Sequence, residues 1–153
     1  MIYSKSAEYA IQAMIYLAEQ DGDRLSMVSE IAEDHNIPRH FLAKLVQTLT
    51  RHHLIKSFRG RKGGIRLARS ADKITLLQVV HAIEGPPPEN EMCVIGLDIC
   101  SDDACCPLHS KWKYIKEEVR ATLHHQTLKE LAIGMQQKRE QLALLASGGD
   151  GKK

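Results

Sequence analysis

The amino-acid sequence predicts a mainly α fold with a small β hairpin, organised as a winged helix-turn-helix domain followed by C-terminal dimerisation helices. Three observations carry that expectation. Apolar residues recur at helical spacing from Ala7 to Leu49. Two short β-compatible runs then flank a glycine-rich turn, directly after a pair of closely spaced helices. Beyond Trp112 helical stripes resume and continue almost to the end of the chain.

Ala7, Ala10, Ile11, Met14, Leu17 and Ala18 make the core stripe of an opening amphipathic helix that stops near Asp21-Gly22-Asp23. Ser26 is the expected cap of a second helix with Val28, Ile31 and Ala32 inward, and Asn36 tolerates the left-handed conformation that ends it. Pro38 suits the first turn of a third helix carrying Phe41, Leu42, Leu45, Val46 and Leu49 inward. The pair reads as a helix-turn-helix. Leu54 to Phe58 and Ile65 to Ala68 are the strands of a hairpin whose glycines, Gly60, Gly63 and Gly64, suit a tight turn; in this position a hairpin is a wing. Thr75-Leu76-Leu77-Gln78 is a capping box opening a helix that ends at Gly85, where Pro86-Pro87-Pro88 forbids continuation.

A cysteine-rich loop with little expected regular structure follows. Trp112, Ile115, Val119 and Leu123 then form one helical stripe, and Thr127 to Glu130 is a capping box for another carrying Leu128, Leu131, Met135, Leu142 and Leu145. So long a helix on a small domain needs a surface to pack against, which points to a homodimer. The expected division is a DNA-binding domain at 1–85, a cysteine loop at 86–111, dimerisation helices at 112–146 and a tail at 147–153.

Composition, 43% apolar and 26% charged, is that of a globular protein. The start meets Glu8 too early for a secretory apolar region, and no apolar run approaches the roughly 20 residues of a membrane span, so a cytoplasmic protein with no membrane partner is expected. Net charge is only +2, but it is unevenly spread: His35 to Ala71 holds nine Lys or Arg and no acid, whereas Glu84 to Ser110 holds six acids and no Lys or Arg. No phosphate loop, nucleophile–base spacing or dinucleotide fingerprint supports catalysis.

A DNA-reading helix needs a polar face, and Arg39, His40, Lys44, Gln47 and Thr48 lie off the apolar stripe of the third helix. Taken alone, such a face could simply be solvated. The wing changes the balance, because Arg59, Arg61, Lys62 and Arg66 crowd a protruding glycine hairpin, where phosphate or minor-groove contact explains cations better than packing does. Double-stranded DNA is therefore the expected partner.

Cys93, Cys100, Cys105 and Cys106 follow the pattern Cys-x6-Cys-x4-Cys-Cys, with Pro107-Leu108-His109 next. In a reducing compartment such a group binds metal or does redox chemistry more often than it forms disulfides. Thiolates converging from an irregular loop suit an iron–sulfur cluster. A zinc site commonly draws on Cys-x2-Cys pairs; here Cys106-x2-His109 is the only zinc-like fragment.

These residues carry a resemblance. Ile31-Ala32, Ile37-Pro38 and Phe41-Leu42, the wing Ser57-x-Arg59-Gly60-x-x-Gly63-Gly64-x-x-Leu67, the helix end Ile83-Glu84-Gly85 and the series Cys93, Cys100, Cys106, Leu108-His109, Trp112 are similar to the family of IscR, NsrR and RirA, from about Met1 to Leu131. The resemblance implies a dimeric winged-helix transcription regulator, addressing a palindromic operator and sensing through a bound 2Fe–2S or 4Fe–4S cluster. It implies Cys93, Cys100 and Cys106 as thiolate ligands, with the fourth from His109 or from Glu8 of a partner subunit. Cys105 departs from the common three-cysteine pattern. A cluster-free thiol sensor using Cys105 and Cys106, and a non-regulatory cluster scaffold or redox protein, are the rival readings.

Overall fold

The computed structural model describes residues 3–20, 22–86, 95, 101–103 and 105–147. Among these residues six helices and one hairpin follow in order: α1 (Lys5–Ala18), α2 (Val28–Asp34), α3 (Arg39–Arg51), β1 (Ile55–Phe58), β2 (Gly64–Leu67), α4 (Leu76–Glu84), α5 (His109–His125) and α6 (Leu128–Ser147), with a 3-10 turn at Ala71–Lys73 before α4. The mainly α fold with a winged helix-turn-helix is thus present. No helix among the described residues is long and apolar enough to cross a membrane.

The core lies where the helical periodicity places it. Ala7, Ala10, Ala13 and Met14 of α1, Ile31 of α2, Leu42 and Leu49 of α3 and Val79 of α4 are fully buried, each large side chain contributing about 1.5–3 kcal/mol of burial free energy. The small residues of α1 let other helices approach it, and it packs against α3, α4 and α6. The α1 N-terminus is satisfied twice, by the Ser4 hydroxyl accepting from Ala7 N at 3.2 Å and by Glu84 Oε1 accepting from Ser4 N at 2.5 Å.

Both helices of the helix-turn-helix end in the same way. Asn36 (φ 51°) and His53 (φ 57°) take the left-handed conformation, and the next residue's N–H reaches back to the last turn, Ile37 N to Ala32 O at 2.8 Å and Leu54 N to Leu49 O at 3.0 Å. Ile37 and Leu54, buried by this turn, seal each helix end against the core. The Thr75 capping box forms as expected, with Gln78 accepting from Thr75 N at 3.1 Å, and Gly85 (φ 83°) ends α4.

Two details differ from the sequence reading. Ser26 does not cap α2. It is fully buried and bridges to Ile65, while α2 starts one residue later, with the Glu30 carboxylate accepting from Met27 N at 2.9 Å. The pairing with the wing draws Ser26 into extended backbone, and its hydroxyl has no hydrogen-bond partner among the described residues. Second, α6 begins inside the winged-helix unit. Leu76 N donates to Gln126 O at 3.0 Å and Leu128 N to Ile74 O at 2.9 Å, so Leu128 and Ala132 are buried in the core. The C-terminal half of α6 extends beyond it, with Leu142, Leu144 and Leu145 exposed.

Candidate functional site

The third helix and the wing form one exposed polar surface. On α3, Arg39, His40, Lys44 and Gln47 are exposed, opposite the buried Leu42, Leu45, Val46 and Leu49. Thr48 is half-buried, its hydroxyl donating to Lys44 O at 3.2 Å. The strands pair antiparallel in the register Ile55 with Leu67 and Phe58 with Gly64. That register leaves Arg59, Gly60, Arg61 and Lys62 at the exposed tip. Gly63 is required there by space, because a Cβ would collide with the Phe58 carbonyl oxygen.

Arg66 stands apart from the tip cations. It is half-buried at the base of the wing, ion-paired with Asp23 and stacked over the Phe58 ring, with its guanidinium carbon 5.3 Å from the ring centroid. Sequence reading grouped it with the other cations because periodicity does not reveal a partner 43 residues away. Lys56, its cross-strand neighbour, is exposed and adds a cation that the sequence reading did not single out.

Of the expected cluster ligands, Cys93 and Cys100 lie outside the described residues. Cys106 is half-buried and Cys105 exposed, so the adjacent thiols have different surroundings. The Cys105 thiol sits 3.2 Å from Asp102 O and 3.6 Å from Ser101 O. His109 opens α5 and is buried, and its N–H donates to Cys106 O at 3.0 Å. Its Nε2 is 2.8 Å from Asp102 Oδ1, and the same carboxylate accepts from Lys113 Nζ at 3.0 and 2.9 Å. Hydrogen bonds from Lys113, and then from His109, hold the Asp102 carboxyl below the usual carboxylate range; Asp102 in turn raises Lys113.

Glu8 lies in the first turn of α1, where its charge suits the helix N-terminus, and pairs with Lys5 at 2.7 Å. No group of three or more potential ligand side chains is assembled among the described residues. What is described has chemistry that fits a thiolate-held cluster: the half-buried Cys106, whose carbonyl oxygen accepts from the main chain of His109, and the buried His109 ring, oriented by a carboxylate. Asp102 and Lys113 were not read from the sequence as partners. The spacing of His109 and Lys113, one helical turn apart, was the available signal.

Comparison with known proteins agrees with this geometry. Residues 3–133 match Rrf2, described as an iron-dependent transcriptional regulator. A protein of Aquifex aeolicus assigned as an HTH-type transcriptional regulator is 38% identical over 133 residues, covering 86% of this chain and 91% of its own. The HTH-type transcriptional regulator CymR of Bacillus subtilis is 30% identical over 132 residues, covering 86% and 90%. Its structure, described as that of the global cysteine regulator of that organism, superposes with a TM-score of 0.72 over 84% of this chain and 94% of CymR. The structure of T. potens IscR superposes with a TM-score of 0.68 at 26% identity, covering 86% of each chain.

Proposed function

The chain belongs to the Rrf2 family of transcriptional regulators, and from that membership we propose that it is a homodimeric regulator that binds a palindromic operator and senses through an iron–sulfur cluster. Its relatives are named as regulators of transcription rather than as enzymes. The observation that carries the DNA-binding reading is the exposed polar face of α3 beside the exposed Arg59, Arg61 and Lys62 of the wing. Arg39, His40, Lys44, Gln47 and Thr48 face base edges and phosphates in the major groove, and the wing-tip cations meet the flanking backbone or minor groove. Arg66 holds the wing against Asp23.

For sensing, Cys93, Cys100 and Cys106 hold the cluster with His109 or the partner subunit's Glu8. When bound, the cluster supplies a centre sensitive to redox state and to small ligands. The loop that carries the thiolates leads into α5, α5 packs on α4, and α4 packs on α3. A difference in loop arrangement therefore has a packed route to the DNA-reading helix, and it shifts operator affinity only as far as the two arrangements differ in free energy. A second reading, thiol-based sensing without a cluster, is favoured by the exposed Cys105 beside Cys106 and by the likeness to CymR.

Purification without oxygen, with the visible spectrum and a count of iron and sulfide per chain, separates the two. The cluster reading predicts charge-transfer bands that Cys106→Ser abolishes and Cys105→Ser keeps. A colourless wild-type protein whose DNA binding responds to Cys105→Ser supports the thiol reading instead. Footprinting of bound genomic fragments tests for two symmetric half-sites.

A further inference from the structure

The cysteine loop is fastened to α5 by three side chains whose arrangement the reading above does not use. The Asp102 carboxylate lies between the buried His109 ring, 2.8 Å from Nε2, and the Lys113 ammonium, at 3.0 and 2.9 Å. Resting on the cluster-binding reading, we propose that Asp102 is a positioning residue that fixes His109 as the Nε2–H tautomer and so presents Nδ1 to the metal.

A carboxylate with Lys113 against both oxygens is an acceptor only, so the nitrogen at 2.8 Å carries the proton. A neutral imidazole protonated on Nε2 has its lone pair on Nδ1. Nδ1 is also the ring nitrogen nearer the main chain, and that main chain donates to Cys106 O at 3.0 Å. With its side chain only 8% exposed, the imidazole has little freedom to turn over. Metal-bound histidines commonly give their second N–H to a carboxylate, which sets the tautomer and raises the basicity of the ligating nitrogen. Lys113 balances the carboxylate charge and holds it in place from one helical turn further along α5. Glu8, the other candidate ligand, has its carboxylate held by Lys5 instead.

The test has one readout without metal and one with it. In the metal-free protein, long-range proton–nitrogen NMR of the neutral imidazole should show His109 as the Nε2–H tautomer. Asp102→Ala should lose that preference, whereas Asp102→Asn, whose amide oxygen still accepts, should keep it. Asp102 is on the exposed surface of its loop, so neither change removes core packing. In protein reconstituted anaerobically with iron and sulfide, Asp102→Ala should start with a full cluster and release iron to a chelator about tenfold faster than wild type. An unchanged tautomer in Asp102→Ala, or full clusters released at equal rates, overturns the positioning role while leaving the cluster reading intact. A wild-type protein that takes up no iron or sulfide overturns the cluster reading and the ligand role of His109 together, whatever the tautomer.

Discussion

Ser26 and Ile65 exchange both main-chain hydrogen bonds, Ser26 N to Ile65 O at 3.0 Å and Ile65 N to Ser26 O at 2.9 Å. The pair ties the segment leading into α2 to the second strand of the wing, making hairpin and helix-turn-helix one unit. The approach is close enough that a Cβ on Gly64 would lie 2.9 Å from Ser26 O. Gly64→Ala must push the strand away from Ser26, and the expected loss is about 1–3 kcal/mol of folding stability. Urea unfolding measures it; a midpoint equal to wild type would mean that the contact gives way freely.

Wing and recognition helix should fail differently. Arg59→Ala is expected to weaken binding to operator and random DNA alike and to reduce the salt slope by about one, as loss of a phosphate contact does. Gln47→Ala should lose about 1–3 kcal/mol on the operator alone. Binding isotherms on both DNAs at several salt concentrations decide this, and a Gln47→Ala loss that is equal on random DNA would remove Gln47 from base readout.

Much of this fold is legible in the sequence because its signals are local. The α1 and α3 stripes, the Asn36 and Gly85 helix ends, the Thr75 box and the glycine hairpin each depend on residues a few positions apart. Ser26 was misread for the complementary reason. A serine before a helix has the chemistry of a cap, and only the distant Ile65 draws it into the core. The same holds for the Asp23–Arg66 pair and for the return of Leu128 to the core, which long-range packing decides. At the candidate sensor, the sequence marks the cysteines, His109 and the acids around them, whereas the pairing of Asp102 with His109 and Lys113 shows only once the loop is folded against α5.

The start of α6 gives a pH-dependent prediction. Glu130 accepts from Thr127 N at 2.9 Å and from its hydroxyl at 2.8 Å, and these bonds hold its carboxyl below the ordinary glutamate value. A depressed folded-state value means stability that is present above the unfolded value, about 4.3, and is lost as pH falls through the folded one. Wild type should therefore exceed Glu130→Gln in stability near neutral pH, and the gap should close as acid protonates the carboxyl. A gap that widens in acid would contradict the assignment.

Homodimerisation through the C-terminal helices predicts sedimentation at twice the 17.2 kDa chain mass. Leu142 and Leu145 are 55% and 74% exposed on the single chain, so Leu142→Glu with Leu145→Glu should leave helix content near wild type while producing a monomer. An unchanged dimer would place the interface elsewhere, and a wild-type monomer would remove the basis for two half-sites.

The most direct test of the account is the affinity of one footprinted operator for the same anaerobic preparation before and after chelation of its iron. A sensor-regulator predicts isotherms that differ at least tenfold, about 1.4 kcal/mol, with the difference absent in Cys106→Ser. Identical isotherms for protein with a counted cluster and protein stripped of it would contradict the claim that the cysteine loop governs DNA binding.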